Sequence, residues 1–279
     1  MPLSLTLIIL LAALLHASWN GLVKSNGDPM LNIAALAATW LVIMIPALPF
    51  LPMISTAALP YAATSVVIHT LYVLGLSHSY KFGDLSFVYP IIRGLPPLIV
   101  AIAGLLFIAE PLSLQGWIGV TIISGGILTL GAQGLNKASH KTLLFALITA
   151  CTIAAYTVVD GVGARINGHS TSYLFWFSII QSIAFLTIVA HIKGPKTLTT
   201  HLKTNWKQGT LGGILSLLAY GLILWAMTKA PIAYVSALRE TSVLFAAFIG
   251  IVLLKEPFTK NKITATILIC AGVAIMQLT

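Results

Sequence analysis

The chain reads as an all-α, polytopic membrane protein with ten transmembrane helices arranged as two inverted five-helix repeats. Three observations predict this. The first is composition: of 279 residues, 58% are hydrophobic and only 8% are charged. Soluble domains carry roughly 25% charged residues, so a soluble core could not hide this much apolar surface and lipid must be the main solvent. The second is that the apolar runs have spanning length. The third is a recurring pattern. Arg93 lies in FVYPIIRGLPPLIVAIAGLLFIAEP and Arg239 in AYVSALRETSVLFAAFIGIVLLKEP, and each stands the same distance upstream of a Glu-Pro pair, Glu110-Pro111 and Glu256-Pro257.

A helix needs about 20 apolar residues to cross the hydrocarbon. Such runs lie near residues 3–23, 30–51, 58–80, 84–107 and 112–132, and again near 142–164, 172–192, 209–228, 232–254 and 262–278. The first, with no Lys or Arg ahead of Leu3–Leu15, reads as a spanning helix and not as a cleaved leader. Arg93, Glu110 and Pro111 map onto Arg239, Glu256 and Pro257 with one offset, and Tyr72 and Lys81 onto Tyr220 and Lys229 with a slightly larger one. Trp19 and Tyr156 correspond approximately. These pairs divide the chain into repeats at 1–136 and 137–279. With five helices each, the repeats enter the membrane in opposite orientations, an arrangement that can open alternately to either side.

The net charge of +9 lies in short loops. Lys24, Lys81, Lys137, Lys141, the run Lys193 to Lys207 and the run Lys255 to Lys262 fall on one side, against Arg165 and Lys229 on the other. This asymmetry is the positive-inside pattern, not a nucleic-acid footprint, and it places both termini outside a multi-pass protein of the cytoplasmic (plasma) membrane. Glu110 and Glu256 precede prolines and read as caps for the fifth and tenth helices, where a carboxylate meets the positive end of the helix dipole. Gly116, Gly119, Gly125 and Gly126 in the fifth run suit close helix packing. Cys151 and Cys270 read as buried small residues with no metal or disulfide spacing. Trp40, Trp117, Trp206 and Trp225 read as packing or interfacial residues.

Polar residues inside the apolar runs are the candidate site. His16 and Asn20 share a helix face, with Trp19 beside them. His69 and Tyr72 share another, as do Tyr89 and Arg93, and Tyr156 and Asp160. Tyr220, Ser236, Arg239, Glu240 and Ser242 follow. A guanidinium in hydrocarbon faces a polar cavity or a partner, because it is costly to bury and cannot shed its proton. His16, Trp19, Asn20, His69, Tyr72, Tyr89, Arg93, Tyr156, Tyr220 and Arg239 are therefore the candidate substrate-binding residues, with Glu240 and Asp160 as candidates for a coupling proton. They come from the first, third, fourth, sixth, eighth and ninth helices and would line one pocket. Asp160, near the end of its run, could instead reach the interface.

At these residues the chain resembles the EamA-like family of the drug/metabolite transporter superfamily. The resemblance rests on the ten-run pattern, on the Glu-Pro turns in FIAEPLSLQGWIG and LLKEPFTKNKITA, and on the aromatics of HASWNGLVK (Trp19) and IAAYTVVDG (Tyr156). It implies a ten-helix basket around a central cavity, with alternating access and a small metabolite as cargo.

The expected function is secondary transport of a small polar or zwitterionic metabolite such as an amino acid, in the outward direction. Arg93 and Arg239 would receive an anionic group. No Gly-x-x-x-x-Gly-Lys loop is present for direct nucleotide coupling, and no cofactor is expected. The expected partners are a solute and membrane lipid, with no nucleic acid, and the chain is expected to act as a monomer. Two other classes fit less well. A flippase for a polyprenyl- or lipid-linked sugar would use the basic Lys193–Lys207 stretch, and an intramembrane enzyme would need a nucleophile or metal motif such as HExxH, which is absent.

Overall fold

The surface is arranged for lipid. On α1 (Leu3–Ser25), Leu3, Leu7, Leu11 and Leu14 form an exposed apolar stripe, while Leu5, Ile9, Ala12 and Ala13 are buried. Side chains spaced by three or four share a helix face, so one face of α1 meets lipid and the other meets protein. The charges invert the usual rule: Arg93, Asp160, Arg239 and Glu240 are all buried. Only helices satisfy their own backbone groups within one segment, which is why every span is helical.

The computed structural model describes residues 1–25, 27–82, 85–131, 139–254 and 259–278. After α1 come α2 (Pro29–Ala47), a short 3-10 turn (Leu48–Phe50), α3 (Leu59–Phe82), α4 (Leu85–Gly94), α5 (Pro96–Phe107), α6 (Leu114–Thr129) and α7 (His140–Asn167). The order continues with α8 (Ser170–Lys193), α9 (Pro195–Thr204), α10 (Trp206–Met227), α11 (Ile232–Arg239), α12 (Ser242–Leu254) and α13 (Lys260–Met276). Glu256, Pro257, Lys255 and Lys137 lie outside the described residues, as do the side chains of Lys24 and Lys81.

This corrects the expected ten-helix, two-repeat architecture. Among the described residues there are thirteen α-helices, and seven segments are long and apolar enough to cross a membrane: Leu3–Val23, Pro29–Phe50, Val88–Phe107, His140–Asn167, Ser170–Lys193, Trp206–Met227 and Ile232–Ile249. Two expected spans are each split into two helices, 84–107 into α4 and α5, and 232–254 into α11 and α12. An additional helix, α9, occupies what read as a basic loop. Gly194 takes a positive φ of 86°, Pro195 opens the helix, and Leu198 is its buried anchor.

Packing follows the small residues. α6 runs against α13, α3 against α7, and α1 and α2 against α10. One close approach joins Gly119 and Gly272: a methyl group on Gly119 would stand 2.9 Å from the Gly272 carbonyl oxygen and 2.2 Å from Met276. Gly125, by contrast, faces open space. Cys151 and Cys270 are exposed on the apolar exterior, contrary to the expectation of burial. In a membrane protein the outer wall is itself apolar, so a small hydrophobe need not be inside.

Candidate functional site

Each buried arginine ends a broken helix. Pro96 and Pro97 open α5, and proline lacks an N–H and crowds the carbonyl four residues back, so α4 stops at Gly94. Arg93 therefore sits in the last turn of α4. The second break has no proline. The Glu240 N–H donates to Ala237 O (3.1 Å), Thr241 N–H to Leu238 O (3.1 Å) and Val243 N–H to Glu240 O (3.0 Å). These three-residue bonds overwind the chain. The Thr241 hydroxyl also donates to Leu238 O at 2.7 Å. Arg239 thus occupies the last turn of α11. Both guanidiniums stand at C-terminal helix ends, where the exposed carbonyls carry partial negative charge.

The breaks bring the two arginines onto one carboxylate. Arg93 Nε lies 2.8 Å from Glu240 Oε2, an ion-pair contact outside hydrogen-bond geometry. Arg93 Nη2 donates to Ser242 Oγ at 2.8 Å. Arg239 Nε donates to Glu240 Oε1 at 3.3 Å, and Arg239 Nη2 stands 3.3 Å from the same oxygen without forming a hydrogen bond. Glu240 is fully buried, and the arginine side chains are at most 9% exposed. One turn before Arg239, the buried hydroxyl of Ser236 has no hydrogen-bond partner.

A second cluster forms around Asp160. The expected sixth helix is extended to Asn167, which leaves Asp160 well inside it and 0% exposed, away from the interface. Tyr173 donates to Asp160 Oδ1 at 3.2 Å, Tyr220 donates to Oδ2, and His69 Nε2 lies 3.1 Å from Oδ2. His69 stacks on Tyr156 at 4.1 Å between ring centroids, and Tyr156 meets Tyr72 edge-on at 5.8 Å. Tyr156 also lies within the electrostatic reach of Arg93, Arg239, Glu240 and Asp160, so it stands between the two clusters. Tyr72 and Tyr89 neighbour Arg93.

The α1 residues divide. His16 is close enough to feel the charge of Arg93 and Arg239, and Trp19 packs on it edge-to-face at 5.0 Å. The Asn20 amide instead donates to its own helix, at His16 O (2.8 Å). Sequence reasoning missed Tyr173 as a partner of Asp160. Its only local signal was a tyrosine near the start of an apolar run.

Glu110 does not cap the helix after it. Ser113 is the N-cap of α6, its hydroxyl accepting from Gly116 N–H at 3.1 Å. Glu110 instead accepts from Ile232 N–H at the start of α11 (3.0 Å) and pairs with Arg165. Arg165 also donates to Met227 O (2.7 Å) and Ala230 O (2.8 Å). The helix whose dipole Glu110 serves is distant in sequence, which no local reading reveals.

Among the described residues, no group of three or more His, Cys, Asp or Glu could hold a metal ion. None of the curated proteins matches this chain. One solved structure, described only as "Crystal structure of protein", is 18% identical, with a TM-score of 0.75 over 100% of this chain and 98% of its own. That likeness shows the fold alone. The model of the EamA-like transporter family matches residues 140–278. This multi-pass helical membrane protein therefore carries an EamA-like transporter family domain over residues 140–278.

Proposed function

We propose that the protein is a secondary transporter for a small polar solute bearing one carboxylate, a zwitterionic metabolite such as an amino acid, and that Arg93 and Arg239 receive that carboxylate. One observation carries the reading: two buried guanidiniums share a single buried carboxylate. The cluster holds one positive charge in excess, and such an excess is expensive in a low-dielectric interior until an anion joins it. A purely structural clamp would be more stable with one carboxylate for each guanidinium. Arg239 Nη2 and the Ser236 hydroxyl both lack a hydrogen-bond partner, and buried polar groups rarely stay unpaired. A solute carboxylate would serve both.

His16, Trp19, Tyr72, Tyr89 and Tyr156 supply rings around this charge for the solute's apolar part. The breaks at Leu95 and at Glu240–Thr241 give each arginine a hinge, since spans interrupted at depth allow one helix half to tilt against the other. Alternating access around the cluster would then expose it to either side, with both termini outside as the loop charges indicate.

The test is counterflow in liposomes holding the purified protein, with radiolabelled amino acids and short monocarboxylates against their amides and against dicarboxylates. Saturable exchange confined to solutes with one carboxylate supports the proposal. Exchange of the amides at equal rates, or of no solute in the panel, contradicts it.

A further inference from the structure

We propose that the cluster around Asp160 is a proton-carrying site that couples solute movement to the proton gradient, one proton moving with one carboxylate. This rests on the transporter reading above. Asp160 is fully buried, yet its partners are two phenols and an imidazole, from α8, α10 and α3. Among the described residues, no Lys or Arg side chain pairs with it. An acid kept at membrane depth without a cation is costly, and such residues mark proton relays. Tyr173, Tyr220 and His69 take three of the carboxylate's roughly four acceptor positions and Asp160 is fully buried, so a solute ammonium group would have to displace these partners. A proton needs no such displacement.

His69 provides the route. Its side chain is 12% exposed against 1% for Asp160, so it is the outer member of the pair. A proton arriving at the far ring nitrogen allows the Nε2 proton to pass to Asp160 Oδ2. One O–H of the delivering hydronium and one N–H break, one N–H and one O–H form, and the imidazole ends neutral in its other tautomer.

Coupling follows from charge. Tyr156 bridges the clusters by stacking on His69 while lying in the field of both arginines. A proton added at Asp160 makes this region more positive beside a cluster that already has an excess positive charge, and a bound carboxylate offsets it. Each ligand therefore favours the other, reciprocally. Asp160 is met by His69 from α3, Tyr173 from α8 and Tyr220 from α10, with Tyr156 of its own helix α7 within electrostatic reach, while Arg93 of α4 and Arg239 of α11 contact Glu240 in the other cluster. α5 contributes no ionisable side chain.

The experiment uses the same liposomes and the solute that exchanges best. With an imposed pH difference of one unit, the wild-type protein accumulates it, up to the limit of about tenfold set by one proton. Asp160→Asn keeps counterflow and loses accumulation. Tyr173→Phe removes one donor from the carboxylate while keeping the acid, and it shifts the pH profile of accumulation to higher pH. Wild-type counterflow without proton-driven accumulation overturns this inference and leaves the proposed function standing, as does accumulation that survives in Asp160→Asn. Loss of counterflow in both variants makes the cluster structural and also overturns it. Absence of any wild-type counterflow removes the proposed function, and this inference with it.

Discussion

Glu240 and Asp160 are both 0% exposed, but their neighbours differ in kind. Glu240 lies between two guanidiniums, whose charge is permanent. Asp160 lies among two phenols and an imidazole, each of which can donate or accept. Protonating Glu240 would leave two buried cations without a counter-charge. A proton on Asp160 leaves partners that can reorganise around it. The lesson is that a buried acid's role is set by whether its partners can change state, more than by its burial.

The largest expected effect tests the first half of this contrast. Glu240→Gln strips the counter-charge from both arginines, and breaking a buried pair from one side costs about 3–5 kcal/mol. Arg239→Gln leaves a neutral Arg93–Glu240 pair and should cost clearly less. Unfolding curves in one detergent compare them, and equal losses would show that Glu240 is no shared counter-ion. Next, Asp160→Asn keeps the shape but turns one acceptor oxygen into a donor, which faces either Tyr173 or Tyr220, for about 1–3 kcal/mol. Loss of the fold, measured the same way, would place Asp160 with Glu240.

Gly119→Val separates packing from charge. The Met276 side chain can move away but the Gly272 carbonyl cannot, so about 1–3 kcal/mol is expected with solute affinity unchanged in the folded fraction. Altered affinity would mean that α6 shapes the site.

The smallest effect belongs to an exposed pair. Asp28 accepts from Met30 N–H at the start of α2 and pairs with Lys193. Partial burial pushes its carboxyl up, but the Lys193 and Met30 contacts outweigh this and hold it below its ordinary value. A lowered folded value means that the stabilisation is complete above about pH 4 and fades as the pH falls through that lowered value. Lys193→Ala should cost less than about 1 kcal/mol, and high salt should erase the difference. A cost as large as that of Glu240→Gln would break the contrast between buried and exposed charge.

Much of this could be read from the chain. Apolar runs marked a helical membrane protein but predicted ten spans where seven described segments are long and apolar enough, and intramembrane charge singled out Arg93, Arg239, Glu240 and Asp160, because lipid makes such residues conspicuous. The prolines at 96 and 97 carried a local sign of the first break. The second break carried none, since the tight turn at Glu240–Thr241 depends on hydrogen bonds that form only in the folded bundle. On an unbroken helix, neighbours such as Arg239 and Glu240 point about 100° apart, so one carboxylate shared by Arg93 and Arg239 could not be foreseen. Glu110 misled for a related reason: its Glu-Pro pattern suggests a local cap, whereas its partners, Arg165 and Ile232, are distant in sequence.

The most direct measurement is counterflow of a monocarboxylate-bearing solute by wild-type protein and by Arg239→Gln, with thermal unfolding recorded on the same samples. The account predicts a variant that stays folded and loses about a hundredfold or more in apparent affinity, the scale expected when one partner of a buried charge pair is removed. A folded variant with unchanged exchange would contradict it and reduce Arg239 to a clamp between helices.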